Sequence, residues 1–159
     1  MSFRVTPIPP DLADEARRTL RSPGFGHPTH VSVASPAGYG PCRSCLRRTR
    51  EGERRLLLSY NPYPEPEQVP VVGPIFIHED SCESFTGPGF PEELRGLPMA
   101  LRGHLKDGSA IVNRKLEGQD PEAAIEAMFQ DPRIGFIAIQ NLEAACFIAR
   151  VERAPSEVR

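Results

Sequence analysis

The sequence predicts an α+β protein, with a mainly antiparallel sheet of about six to eight strands and two short helices packed on it. Three observations support this prediction: a length of 159 residues, which suits a single domain, more hairpin signals than crossover signals, and two segments with helical periodicity. Hydrophobic residues make up 39% of the chain and charged residues 25%, as in ordinary globular proteins. We expect one domain over residues 1–155, followed by a polar tail at 156–159.

Two segments predict helices. The first begins at Pro9-Pro10, because proline suits the first helical turn. Its predicted buried face carries Leu12, Ala13, Ala16 and Leu20, and its polar face carries Glu15, Arg17 and Arg18. The second helix has Asp120 as its N-cap and ends before Asp131-Pro132. Its apolar stripe is Ala124, Ile125, Met128 and Phe129.

The first half of the chain predicts a core hairpin between stretches of loop. Proline and glycine interrupt residues 22–41, which we expect to be mostly loop with a short strand at 31–33. The Gly-containing turn 50–52 predicts a hairpin between 45–49 and 54–60. Three prolines then carry 61–69 across the surface before a strand at 73–78. This order places the 42–49 segment close to the end of that strand.

The second half of the chain predicts two further hairpins. Asp107-Gly108 is typical of a tight type I′ turn, so it should join strands at 99–106 and 109–116. Alternating apolar residues predict a last pair of strands at 135–140 and 146–152. Consecutive hairpins of this kind favour an antiparallel sheet.

Charge and hydropathy make nucleic acid an unfavoured partner and predict no membrane contact, and the sequence leaves the oligomeric state open. The net charge is −2 and the isoelectric point is about 6.1, which gives no global attraction to nucleic acid or to anionic membranes. No stretch approaches the roughly 20 apolar residues of a membrane span, and no signal peptide is evident. We therefore expect a cytoplasmic protein whose four cysteines, Cys42, Cys45, Cys82 and Cys146, are reduced thiols or metal ligands.

The motif with the most definite chemistry is Cys42-x-x-Cys45, which combines with His78 and Cys82 into a candidate zinc site. Zinc in proteins takes four such ligands at tetrahedral positions. The spacing of the second pair, His-x-x-x-Cys, lacks the glycine that is usual in a zinc knuckle. A thiol-redox role is a second interpretation, because neighbouring arginines favour the reactive thiolate.

A basic run next to this motif indicates an anion site. Arginine guanidinium groups make bidentate contacts to phosphate, and the preceding glycines let backbone N–H groups approach an anion. The candidate ligand-binding residues are Tyr39, Arg43, Arg47, Arg48 and His78. The segment is not a P-loop, because no Gly-Lys-Ser/Thr follows it. The alternative is that these arginines point to solvent and pair with acidic residues.

Several segments together match the pattern of a known family. They are Pro41-Cys42-Arg43-Ser44-Cys45-Leu46, Gly52-Glu53, Leu56-Leu57-Leu58-Ser59-Tyr60, Gly73-Pro74-Ile75-Phe76-Ile77-His78, Asp131-Pro132-Arg133, Asn141 and Cys146-Phe147-Ile148-Ala149-Arg150-Val151. In these the chain resembles the bacterial family called domain of unknown function 1203. The resemblance implies a stand-alone cytoplasmic domain and supplies no catalytic residues.

Two functional hypotheses follow from the sequence. The first is a small-molecule binding domain for a phosphate-bearing ligand such as a nucleotide. The alternative is a thiol-redox or zinc-binding protein centred on the Cys-x-x-Cys motif and the His/Cys pair. Catalytic residues cannot be assigned, because no hydrolase or metalloprotease motif is present.

Overall fold

The computed structural model describes residues 2–36, 40–63, 65 and 71–155. Within these residues the helices and strands are β1 (Phe3–Thr6), α1 (Pro10–Thr19), β2 (His30–Val33), β3 (Arg54–Tyr60), β4 (Gly73–His78), β5 (Met99–His104), β6 (Ala110–Leu116), α2 (Pro121–Phe129), β7 (Phe136–Asn141) and β8 (Phe147–Arg153). A short 3₁₀ helix spans Glu92–Leu94. The predicted α+β class is confirmed. The predicted tail at 156–159 lies outside the described residues.

The strands form two antiparallel sheets. The larger sheet has the order β1-β8-β7-β5-β6, and the smaller sheet has the order β2-β3-β4. The predicted number of strands agrees with this, but they are divided between two sheets. The chain changes sheet twice. It passes from β1 to β2 through α1, and from β4 to β5 through residues 79–98, which carry only the 3₁₀ helix.

Two apolar cores hold the sheets and helices together. In the first, Ile125 and Phe129 of α2 pack with Leu101 and Ile137 of the larger sheet. The second joins α1, the smaller sheet and the inner part of the larger sheet, and its buried members are Ile8, Ala13, Ala16, Cys42, Cys45, Leu56, Leu58, Ile75, Ile77, Ala138 and Phe147. The Cys-x-x-Cys motif therefore belongs to the second core.

Both predicted helices are confirmed, but two residues of the α1 segment do not lie on the faces predicted for them. Asp120 caps α2 by accepting a hydrogen bond from the Glu122 backbone N–H at 3.1 Å. At the end of α1, Leu20 takes a left-handed conformation (φ 54°) and is 52% exposed, so its predicted place on the buried face is wrong. The Arg17 side chain is only 9% exposed, although it was predicted on the polar face. Neither α-helix in the described part of the chain is long and apolar enough to cross a membrane.

The predicted hairpin between 45–49 and 54–60 is wrong. β3 pairs instead with β2 and β4 on its two sides. Residues 42–47 close into a tight loop, and the chain on either side of it pairs through a bridge between Pro41 and Arg48. The backbone N–H of Thr49 donates to the Gly40 carbonyl at 3.3 Å, so 48–49 pair with 40–41.

The hairpin at Asp107-Gly108 is confirmed, but with a different turn. A type I′ turn needs positive φ at both central residues, whereas here Gly108 has a φ of 90° and Asp107 is not in that region. The Gly108 N–H donates to the Leu105 carbonyl at 2.9 Å, which is the pattern of a type I turn followed by a glycine bulge. The sequence also missed β1, which pairs with β8 at the edge of the larger sheet.

Gly103 in β5 gives a packing prediction. A Cβ at this position would meet Val112 Cγ1 at 2.6 Å, and the side chains of Met128 and Ile134 at 3.1 Å. We expect Gly103→Ala to lower the free energy of unfolding by about 1–3 kcal/mol, because the core has no room for the methyl group. Gly73→Ala is the matched control, since nothing lies within 4 Å of a Cβ there. Equal urea-unfolding midpoints for the two variants would contradict this packing.

Candidate metal centre

The loop 42–47 brings two thiols together through its backbone. The Cys42 N–H donates to the Arg47 carbonyl at 2.8 Å, and the Leu46 N–H donates to the Cys42 carbonyl at 2.8 Å. Leu46 has a φ of 59°, a left-handed conformation that a leucine adopts only when its surroundings compensate the strain. Its side chain is 1% exposed in the first core, so burial of this leucine offsets the cost of the turn.

The end of β4 supplies the other half of the cluster. The Arg43 N–H donates to the Phe76 carbonyl at 3.0 Å, which fixes the loop against β4. His78 is the last residue of β4, and its backbone N–H donates to Cys42 Sγ at 3.3 Å. Cys82 follows in the irregular segment after the strand. The predicted closeness of the loop and the strand end is therefore confirmed.

The four predicted metal ligands meet at one point. Their ligand atoms all lie within 4.8 Å of one another. The Sγ atoms of Cys42 and Cys82 are 3.8 Å apart, and Cys45 Sγ lies 3.5 Å from His78 Nδ1. With a zinc–sulfur distance of about 2.3 Å, the edge of a tetrahedral site is about 3.8 Å between two sulfurs and slightly less between sulfur and nitrogen. Both distances match such edges.

Burial closes the cluster to solvent on most sides. Cys42 is 0% exposed, Cys45 8% and His78 7%, whereas Cys82 is partly exposed. Four protein ligands leave no position for a water molecule or substrate, which is the pattern of a structural rather than a catalytic metal site. Three thiolates and an imidazole also favour a soft or borderline cation over magnesium or calcium.

Two side chains that were not predicted surround the ligands. Glu53 Oε2 lies 2.5 Å from His78 Nε2, an arrangement that orients Nδ1 toward the thiols. Arg17 donates from Nη2 to Cys82 Sγ at 3.1 Å and from Nε to the His78 carbonyl at 3.0 Å. No sequence signal links Arg17 to the motif, because 61 positions separate it from His78. Its positive charge therefore lies next to the Cys82 sulfur.

The thiols and the imidazole perturb one another strongly. Hydrogen bonds from the Cys45 and Cys82 thiols lower the pKa of Cys42 far below its ordinary value. The pKa of Cys45 is raised, since its proton is held by the Cys42 sulfur. Hydrogen bonds to Cys42 and Cys82 raise the pKa of His78 to about 10. Zinc binds cysteine as the thiolate, so a bound dication would displace the protons that these groups hold between them.

Two of the arginines predicted to bind a ligand turn inward. Arg43 is 4% exposed and donates from Nε to the Phe147 carbonyl and from Nη1 to the Pro41 carbonyl, both at 2.6 Å. Arg48 donates to the carbonyls of Glu93 and Arg95 at 2.7 and 2.8 Å. Each of these guanidinium groups therefore already uses two of its nitrogens on backbone carbonyls within the fold.

The other predicted ligand-binding residues are placed differently. Arg47 is exposed and lines a cavity of about 330 Å³ together with His78. The remaining lining residues of this cavity are Gly52, Glu53, Arg54, Asp80, Ser81 and Cys82. Tyr39 lies outside the described residues. Arg47 and His78 are thus the two members of the predicted set that share a cavity.

Fold and site together define the class: an α+β protein with a mostly buried cluster of three cysteines and one histidine that could hold a metal ion. The chain belongs to the family described as "Protein of unknown function (DUF1203)", whose model matches residues 39–153. The matched residues include all four members of the cluster. No curated protein and no solved structure matches the chain.

Proposed function

We propose that this protein binds one Zn²⁺ through Cys42, Cys45, His78 and Cys82, and that the ion has a structural role. The observation that carries the proposal is the mutual distance of the four ligand atoms, all within 4.8 Å. The ion would cross-link the loop 42–47 to the segment that follows β4. A reducing compartment such as the cytoplasm expected from the sequence suits this role, because the thiols there stay available to the metal.

Elemental analysis of the purified protein tests the proposal. We expect one zinc per chain in the wild-type protein and in Cys146→Ser, whose thiol lies outside the cluster. Cys45→Ser should lose the zinc during dialysis, since a hydroxyl is a poor substitute for a thiolate ligand. A wild-type protein that holds no zinc, even after refolding in its presence, would contradict the proposal.

The Glu53 carboxylate provides a finer test. Partners that orient a ligating histidine usually contribute 10–100-fold to metal affinity, so we expect Glu53→Gln to weaken zinc binding by at least roughly 10-fold. Competition with a chromogenic chelator measures this change. Glu51→Gln, at an exposed position two residues away, is the control and should leave the affinity unchanged. Equal affinities of the two variants would rule out the orienting role.

The hypothesis of a phosphate-bearing ligand stays a prediction, and it now concerns fewer of the arginines. The observation in its favour is the polar cavity where Arg47 and Arg54 stand near His78. Arg54 is already paired with Glu79 at 2.8 Å, which leaves Arg47 as the main candidate for an anion. Inorganic phosphate and ADP should then raise the melting temperature of the wild-type protein and not that of Arg47→Met. An equal response of both proteins would remove this site.

A further inference from the structure

Cys82 differs from the other three members of the cluster in its access to solvent. Cys42, Cys45 and His78 are buried, whereas Cys82 is partly exposed and lines the 330 Å³ cavity. Its two neighbours in the chain, Ser81 and Glu83, are both exposed. Of the three cysteines of the cluster, Cys82 is therefore the one that a small reagent in this cavity reaches.

A positively charged side chain lies beside Cys82. Arg17 donates to Sγ from 3.1 Å with a side chain that is 9% exposed, and its Nη1 lies 3.6 Å from Asp14 Oδ1. Arg47 and Arg54 line the same cavity together with Glu53 and Asp80, and Arg54 is paired with Glu79. An accessible thiolate next to an arginine is the form of cysteine that peroxides oxidise.

A second thiol, that of Cys42, lies close enough to form a disulfide with oxidised Cys82. Cys42 Sγ lies 3.8 Å from Cys82 Sγ, and a disulfide needs a separation of about 2.05 Å. Cys82 lies in a segment without helix or strand from residue 79 to residue 88, so its approach to Cys42 breaks no sheet ladder. Cys42 is held within the hydrogen-bonded loop and against β4.

We propose that Cys82 is a peroxide-reactive site whose oxidation joins it to Cys42 and releases the zinc. Hydrogen peroxide would transfer one oxygen atom to the Cys82 thiolate, giving the sulfenic acid and hydroxide. The Cys42 thiolate would then attack the Cys82 sulfur, forming the S–S bond and expelling a second hydroxide. The two sulfurs together give up two electrons to the peroxide, and the ion loses two of its four ligands. The zinc-release step rests on the proposed zinc site, while the reactivity of Cys82 does not.

Peroxide treatment followed by tryptic mapping tests the inference in the Cys146→Ser protein. Cleavage after arginine places Cys42 in the peptide 22–43, Cys45 in 44–47 and Cys82 in 56–95. We expect one zinc released per chain, measured with a chromogenic chelator, together with a disulfide between 22–43 and 56–95. Reduction with dithiothreitol should restore zinc binding. A disulfide between 22–43 and 44–47, or zinc that stays bound with Cys82 unmodified, would overturn the inference.

A sulfenic-acid trap separates the first step from the second. In the double variant Cys42→Ser/Cys45→Ser neither neighbouring thiol remains within 4.8 Å of the Cys82 sulfur, so dimedone should label the peptide 56–95 after peroxide treatment. A peptide 56–95 that stays unlabelled would contradict the role of Cys82. If the untreated wild-type protein holds no zinc, the zinc proposal fails, and the link between 22–43 and 56–95 still reports whether Cys82 reacts. If zinc is bound and peroxide leaves Cys82 intact, the redox inference alone fails.

Discussion

Removal of zinc by a chelator is expected to lower the stability of the protein by about 4 kcal/mol, relative to protein in free zinc at a thousand times its dissociation constant. The ion would bind the native cluster and not the unfolded chain, so its binding free energy adds to the stability of the fold. For a chain of this size the loss corresponds to a fall in melting temperature of roughly 8–16 °C. Differential scanning calorimetry with and without chelator measures it.

The Cys42→Ser variant tests the same loss of stability by removing one of the proposed zinc ligands. Cys42 contacts three other members of the cluster, through Cys82 Sγ at 3.8 Å, the His78 backbone at 3.3 Å and the loop that carries Cys45. Its melting temperature should therefore be low and independent of zinc, whereas that of Cys146→Ser should respond like the wild type. A wild-type melting temperature that ignores zinc, in protein shown to bind the metal, would mean that the ion has no structural role.

The group of three cysteines and one histidine could be predicted, because the sequence shows both the ligand types and the order of the segments that carry them. Cys-x-x-Cys and His-x-x-x-Cys are visible in the sequence, and the strand ending at His78 was predicted with its correct bounds. The sequence correctly placed the loop 42–47 near the end of β4, but for the wrong reason. A hydrogen bond between Arg43 and Phe76 joins the two segments, and the predicted hairpin between 45–49 and 54–60 does not form. A local pattern can thus find the ligands while the pairing of the strands stays hidden.

The residues around the ligands could not be predicted from local patterns. Helical periodicity places Arg17 on a polar face, but it cannot show that a carbonyl and a sulfur lie within reach of that face. Leu20 was placed on the buried face because periodicity carries no information about a left-handed helix end. Both errors arise where tertiary contacts or backbone conformation override the preference of the local sequence.

The basic run is the part of the sequence whose interpretation the structure changes most. A cluster of arginines normally indicates solvent exposure, since burying a guanidinium group is costly. Here Arg43 lies between the carbonyls of Pro41 and Phe147, and burial lowers its pKa to about 10. The group stays charged at neutral pH, because its pKa still lies well above 7. It therefore ties the loop 42–47 to β8 of the larger sheet.

Arg43→Met is consequently expected to destabilise the fold. Each buried carbonyl that loses its donor costs about 1–3 kcal/mol. Relief of the desolvated charge offsets part of that cost, so we expect a net loss of about 3 kcal/mol in the free energy of unfolding. Urea unfolding of the zinc-free protein measures the loss without a contribution from the metal. Arg47→Met is the control, because an exposed side chain there should change stability by less than about 0.5 kcal/mol.

The same pair of variants separates a structural arginine from a ligand-binding one. For Arg43 to contact a phosphate, its Nε and Nη1 would have to leave the carbonyls of Phe147 and Pro41, so a ligand would have to compensate for both hydrogen bonds. Arg47 lines the cavity and interacts with the Cys45 thiol, so it would not have to leave backbone carbonyls to contact an anion there. A large loss of stability in Arg43→Met with none in Arg47→Met would restrict any anion site to the cavity beside Cys82. Equal stabilities of the two variants would show instead that Arg43 is not held by these carbonyls, and the wider set of arginines predicted from the sequence would again be available to a ligand.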